Sequence, residues 1–152
     1  MCHQVCLGLG SNLGDRASLL EQAIQLVGER IGEVLCRSSF IETEPWGFVS
    51  THHFLNGVIL CETQLTPHEV LETAQQIERE LGKQQEHTTQ RNQGTTYQDR
   101  PIDIDILLYD DLTVDEPDLQ IPHPLMNERD FVMKPLQEIE TKLNKKLKLK
   151  KQ

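Results

Sequence analysis

The sequence predicts an α+β protein, a split β-α-β sandwich in which an antiparallel sheet carries packed helices. Three observations predict it. Segments with strand-like alternation and segments with helical periodicity follow one another in the order β-α-β-β-α-β, which is the connectivity of that architecture. The second helix marks its own start, because Thr66-Pro67-His68-Glu69 sets a capping hydroxyl, a proline at the first helical position and an acid three residues after the cap. A chain of 152 residues can bury about two-thirds of its unfolded surface in one two-layer domain, and leaves no room for a second catalytic domain. The domain is assigned to residues 1–141 and a lysine-rich tail to residues 142–152.

Taken in order, Gln4 to Leu9 reads as the first strand, and Ser11-Asn12-Leu13-Gly14-Asp15 as a turn into a helix running to Gly32. Leu19, Leu20, Ala23, Ile24, Val27 and Ile31 give that helix an apolar face at helical spacing. In the turn, Ser11 and Asn12 are expected to satisfy backbone donors, and the glycines to lie where the chain bends or packs closely. A second strand is expected from about Val34 to Thr43, and Glu44 to Ser50 is a loop because Pro45 and Gly47 interrupt the pattern. The third strand spans about Phe54 to Thr63, and the helix opened at Thr66 continues through Val70, Leu71, Ala74, Ile77 and Leu81 to Gly82. Residues 83–99 hold few apolar anchors; so long a connection reads as a lid over a site. After the strand that follows, Asp110-Asp111 begins a turn, Leu119 to Ile121 forms a brief strand, Pro122-His123-Pro124 is rigid, and Asn127 to Lys134 is helical.

The formal charge of −9 conceals a division along the chain. Residues 1–141 hold nine basic residues against all 24 acids, a balance of −15, and the other six lysines lie from Lys142 onward. Such a body repels polymeric nucleic acid. A nucleotide complexed with magnesium is easier to accommodate, since the cation neutralises part of its charge. No apolar stretch approaches the roughly 20 residues that span a bilayer, and the amino-terminal residues lack a signal pattern, so a cytoplasmic protein without membrane partners is expected. Cys2, Cys6, Cys36 and Cys61 form no CxxC pair and read as scattered packing residues, not as a zinc or disulfide framework.

The chemistry is concentrated in Asp99-Arg100-Pro101-Ile102-Asp103-Ile104-Asp105-Ile106-Leu107-Leu108-Tyr109. Side chains on a strand alternate faces, so Asp103 and Asp105 share one face and Ile102, Ile104 and Ile106 the other. Two carboxylates so placed suit a hard divalent cation, with Arg100 as a phosphate clamp; on the residues alone, a solvated edge strand kept from aggregating by its acids fits as well. Gly8, Gly10 and Gly14 have the spacing GxGxxxG, which is not a dinucleotide fingerprint, and no Walker lysine accompanies it.

With these strings in view, the chain resembles the 6-hydroxymethyl-7,8-dihydropterin pyrophosphokinase family. The resemblance rests on Leu9-Gly10-Ser11-Asn12-Leu13-Gly14, Ser38-Ser39-Phe40, Phe54-Leu55-Asn56, the acidic strand, Ile121-Pro122-His123-Pro124 and Arg129-Asp130-Phe131, in that order over residues 4–136. It implies a ferredoxin-like core that transfers pyrophosphate from ATP to the pterin hydroxymethyl group, acting as a monomer on small molecules. It implies that Asp103 and Asp105 hold two magnesium ions against the ATP phosphates, and that Arg100, His123 and Arg129 position or transfer phosphate. Phe54 and Phe131 then supply stacking surface for the pterin and Asn56 its edge contacts, with Thr43, Pro45 and Trp46 completing the pocket. Glu78 matches a position near the cleft on the nucleotide side.

The chain departs from the commoner family pattern before the acidic strand. Where many relatives show arginine-tryptophan-glycine-proline-arginine, it reads Thr96-Tyr97-Gln98-Asp99-Arg100. Arg91 is a candidate replacement for the missing charge, and Lys83 stands where arginine is frequent. Two competing readings use the same residues: a magnesium-dependent nucleotide phosphohydrolase that directs water to phosphorus, and a small-molecule-binding regulatory domain on the same architecture.

Overall fold

The computed structural model describes residues 2–43, 53–84, 101–124, 126 and 129–143, with the backbone alone for residues 83, 84, 130 and 131. Strand β1 (His3–Ser11) leads into helix α1 (Arg16–Arg30), strands β2 (Gly32–Arg37), β3 (Ile41–Thr43) and β4 (Phe54–Thr63), and helix α2 (Pro67–Gln84). Strand β5 (Asp103–Tyr109), the hairpin β6 (Val114–Glu116) and β7 (Leu119–Ile121), and helix α3 (Asp130–Leu143) complete the described chain. The main sheet runs β2-β4-β1-β5, with β3 also paired to β4, and each of its pairings is antiparallel. This is the strand order of a ferredoxin-like split β-α-β sandwich, as expected from the order of the segments.

Alternation along the strands decides what each sheet face becomes. Val5, Leu7 and Leu9 of β1, Ile59 and Cys61 of β4, and Ile104 and Ile106 of β5 pack with Leu20, Val27, Ala74 and Ile77 of α1 and α2. Cys6, Val58, Leu60, Leu107 and Leu108 point the other way and pack with Val132, Leu136 and Ile139 of α3. The sheet thus carries α1 and α2 on one face, whereas α3 forms a third layer on the other. The register shifts between Cys6 and Leu7 opposite β5; this irregularity inserts one residue in β5 and turns both Leu107 and Leu108 toward α3.

Local chemistry sets the element ends. Thr66 Oγ1 accepts the Glu69 N–H at 3.2 Å while Glu69 Oε1 accepts the Thr66 N–H at 2.9 Å, the reciprocal cap legible in the sequence. The cap of α1 differs from expectation: Asp15 Oδ1 accepts the Ser18 N–H at 3.2 Å, and Ser11 instead donates its hydroxyl to the Leu13 carbonyl at 3.3 Å. Gly14 permits that turn with a φ of 73°. The single strand expected from Val34 to Thr43 is two, because the ladder is only half kept at Ser38, whose N–H donates to the Val58 carbonyl at 2.9 Å. The Ser38 hydroxyl accepts the Val58 N–H at 2.9 Å and donates to the Ser39 carbonyl at 2.8 Å, substituting a side chain for a strand pairing. The last helix begins at Asp130 and runs to Leu143, well beyond the expected end at Lys134.

Candidate active site

The carboxyl end of β1 and the amino ends of β4 and β5 meet at one edge of the sheet face that α3 leaves uncovered. Gly10 pairs with Asn56 on one side and with Asp103 on the other, so Asn56, Gly10 and Asp103 stand in one cross-strand row. The next row toward the core is Val58, Gly8 and Asp105. Directly paired residues share a face, so both acids open onto a strip of sheet surfaced by glycine. Neighbouring strands lie about 4.8 Å apart, which separates the Asn56 and Asp103 backbones by roughly 10 Å. Lacking side chains of their own, the glycines leave room for the Asn56 amide beside Gly10 and the Leu107 side chain beside Gly8.

Gly10 is held to glycine by its neighbour: a Cβ there would lie 2.7 Å from Asn56 Oδ1 and 3.4 Å from Phe54 Cδ1. Asn56 is buried, and its Nδ2 donates to Thr43 Oγ1 at 2.7 Å. Because β3 pairs Thr43 with Phe54 and Ile41 with Asn56, Thr43, Phe54 and Asn56 lie on the same face as the two acids. This is a fixed amide edge beside an aromatic ring, suited to a flat heterocycle with directional polar groups.

On the other side of the acids, backbone hydrogen bonds seat the segment that carries His123 and Arg129. The His123 N–H donates to the Leu107 carbonyl at 3.1 Å, the Met126 N–H to the His123 carbonyl at 3.3 Å, and the Arg129 N–H to the Met126 carbonyl at 3.2 Å. Met126 is buried beneath this run. The His123 imidazole is driven down to about 4, first by burial and then by the nearby Arg129 charge, with Asp103 partly opposing. It is therefore neutral near pH 7 and offers one N–H donor and one acceptor. His123 thus lies within electrostatic reach of both Arg129 and Asp103. Arg129 is buried, and its Nε makes no hydrogen bond among the described residues although the residue engages its neighbours elsewhere.

Glu78 comes to this site from behind. Its Oε2 accepts the Ile104 N–H at 2.7 Å, at the residue between Asp103 and Asp105. This backbone grip was not legible in the sequence, which supplied the residue without its partner. Residues 83 and 84, expected to open the lid, instead end α2; Pro45, Trp46, Arg91 and Arg100, residues 85–99 of the expected lid, the side chains of Lys83 and Phe131, and the tail from residue 144 lie outside the described residues.

Fold and site together define an α+β protein with paired carboxylates on a split β-α-β sheet. A family model described as 7,8-dihydro-6-hydroxymethylpterin-pyrophosphokinase matches residues 6–141. A protein of Porphyromonas gingivalis named 2-amino-4-hydroxy-6-hydroxymethyldihydropteridine pyrophosphokinase is 51% identical over 136 residues, covering 89% of each chain. A protein of Bacillus subtilis with the same name is 40% identical over 134 residues, 88% of this chain and 75% of the relative. The chain belongs to the 7,8-dihydro-6-hydroxymethylpterin-pyrophosphokinase family. The crystal structure of wild-type Plasmodium falciparum HPPK-DHPS superposes with a TM-score of 0.70 at 17% identity. That match covers 91% of this chain and 41% of the longer one, and it bears on the fold.

Proposed function

We propose that the two sides of the glycine strip divide the substrates of the family reaction between them. In that reaction, pyrophosphate passes from ATP to the hydroxymethyl group of 6-hydroxymethyl-7,8-dihydropterin, AMP is released, and the product serves folate biosynthesis. The observation that supports this division is the row Asn56, Gly10, Asp103, in which a buried amide and a carboxylate stand on either side of a glycine strand. Thr43, Asn56 and Phe54 orient the pterin, joined by Pro45, Trp46 and Phe131.

Asp103 and Asp105 fit magnesium: both offer oxygen donors from one face of β5, and the residues paired with them, Gly10 and Gly8, add no side chain beside them. When bound, two magnesium ions would screen the triphosphate and favour charge build-up on the oxygens entering and leaving the β-phosphorus. Asp103 additionally takes up the proton of the pterin hydroxyl, whose oxygen forms the new bond to the β-phosphorus as the bond from that phosphorus to the bridging oxygen breaks and AMP leaves with that oxygen. Neutral His123 donates to a phosphate oxygen, while Arg129 and Arg100 supply fixed positive charge. Lys83, Arg91 and Glu78 complete the nucleotide side, with residues 85–99 closing over it. The body is acidic, which favours these small substrates over polymeric nucleic acid. No described helix is long and apolar enough to cross a membrane. We place the reaction in the cytoplasm and assign it to the monomer.

Mass-resolved analysis of products with magnesium ATP and the pterin tests this reading. AMP and diphosphorylated pterin in equal amounts are expected. Phosphate release that needs no pterin would establish the hydrolase reading, and binding without turnover the regulatory one.

A further inference from the structure

We propose that the protein carries a metal site apart from Asp103 and Asp105, built from His68, Glu116 and Asp118 and suited to a transition cation of the zinc(II) class. His68 lies in the first turn of α2, Glu116 ends β6, and Asp118 lies in the turn that joins β6 to β7. His68 Nε2 stands 2.9 Å from Glu116 Oε1 and 3.8 Å from Asp118 Oδ1, and one ligand atom from each residue lies within 4.8 Å of the others. Ligands about 2.0–2.2 Å from a tetrahedral zinc stand roughly 3.3–3.6 Å from one another. The observed spacings bracket that range, so small rotations of exposed side chains complete the site and leave a position for water.

The imidazole decides the class of ion. Carboxylates alone at a hairpin tip would be a solvated acidic edge, and magnesium, which prefers oxygen and keeps its waters, gains little from a ring nitrogen. Here a separate element delivers the nitrogen, and the reciprocal Thr66–Glu69 cap fixes where it emerges. Residues 110–121 contain five acids and no lysine or arginine, so a divalent cation also relieves the repulsion between carboxylates drawn to one imidazole. The site is distinct from the catalytic acids. His68 and Glu78 are ten residues apart on α2, about 15 Å along the helix, and it is Glu78 that contacts the strand between those acids. A bound ion would fasten the hairpin tip to α2, immediately before the chain passes from Ile121 to His123.

Isothermal titration of the tag-free full chain with zinc chloride, after chelator treatment and in saturating magnesium, tests the site. One saturable zinc equivalent is expected. His68→Ala should weaken it at least tenfold, Glu116→Gln and Asp118→Asn at least about threefold each, and Asp103→Asn should leave it unchanged; circular dichroism verifies that each variant is folded. Hydrogen exchange across residues 114–121 should slow on zinc addition in the unaltered chain and in Asp103→Asn, and should not slow at the same zinc concentration in His68→Ala. Absence of saturable binding, affinity unchanged by His68→Ala, or affinity lost in Asp103→Asn would each overturn the proposal.

Discussion

The Glu78 carboxylate accepts the Ile104 N–H at 2.7 Å, so a side chain from α2 grips β5 between its two acids. Strand β5 lies at the edge of the sheet, where amides on the outer side have no ladder partner. A charged acceptor satisfies this one more strongly than a neutral group would. It also fixes the backbone from which Asp103 and Asp105 project to the opposite face.

Glu78 is therefore expected to act as a positioning residue for the acids. Glu78→Ala should lower stability by about 1.5 kcal/mol, the low end for a hydrogen bond to a charged group, and raise the magnesium concentration needed for half-maximal turnover. Glu78→Gln keeps an acceptor and should fall between. Magnesium titrations of turnover at saturating ATP make the measurement. A rise in the KM for ATP with an unmoved magnesium midpoint would assign Glu78 to the nucleotide instead.

Replacing either acid should separate chemistry from folding. Asp103→Asn or Asp105→Asn keeps side-chain size and relieves like-charge repulsion, so thermal stability should hold or rise. Turnover should fall at least about tenfold, equivalent to roughly 1.4 kcal/mol of transition-state stabilisation. Near-normal rates in both folded variants would remove the acids from the centre of the mechanism.

The core and the acidic strand were legible because they depend on periodicity. The alternation of Leu7 and Leu9 with Gly8 and Gly10, and of Ile104 and Ile106 with Asp103 and Asp105, divides the sheet faces before any contact is known. The Thr66–Glu69 cap was equally plain, being a local pattern of fixed spacing. Contacts between distant segments were not. Ser38 bonding to Val58, Glu78 to Ile104 and His68 to Glu116 depend on how elements pack, and no spacing in the chain encodes them. The placement of α3 was hidden for the same reason: its apolar face fits either side of the sheet until Leu107 and Leu108 are turned toward it.

Glu138 ties α3 to the connection between β2 and β3, and its effect should depend on pH. Its carboxylate accepts the Ser39 N–H at 3.0 Å and the Ser39 hydroxyl at 3.0 Å and pairs with Lys142 at 3.2 Å. Desolvation pushes its pKa up, but the Ser39 hydrogen bonds and the Lys142 contact outweigh it and leave the pKa below the ordinary value of 4.5. A depressed carboxyl stabilises the fold above its unfolded pKa, and that stability is lost as pH falls through the folded value. The Glu138 side chain is 31% exposed, so solvent screening limits Glu138→Gln to about 0.5 kcal/mol at pH 7. Urea unfolding of the two proteins should show this difference at pH 7 and its progressive loss as pH falls below 4.5 through the folded value. A difference that persists at the lower pH would mean that lost packing, not lost charge, is the cause.

Gly10 offers the sharpest test of the division between pterin and nucleotide. A methyl group at Gly10 would lie 2.7 Å from Asn56 Oδ1, so Gly10→Ala forces the Asn56 amide aside and strains its bond to Thr43. At Gly8 the added Cβ meets Leu107 Cδ1 at 3.4 Å, a contact nearer the acids and away from the amide. Overpacking of this kind costs about 1–3 kcal/mol, and Gly10→Ala should show it as a lower melting temperature. In the enzyme that still folds, the KM for the pterin should rise about tenfold while the KM for ATP stays within about twofold, because one displaced amide bond is worth roughly 1.4 kcal/mol. Gly8→Ala, whose partner in the sheet is Asp105, should instead act on magnesium-dependent turnover. Equal effects of Gly10→Ala on both substrates would show that the glycine strip does not separate two subsites.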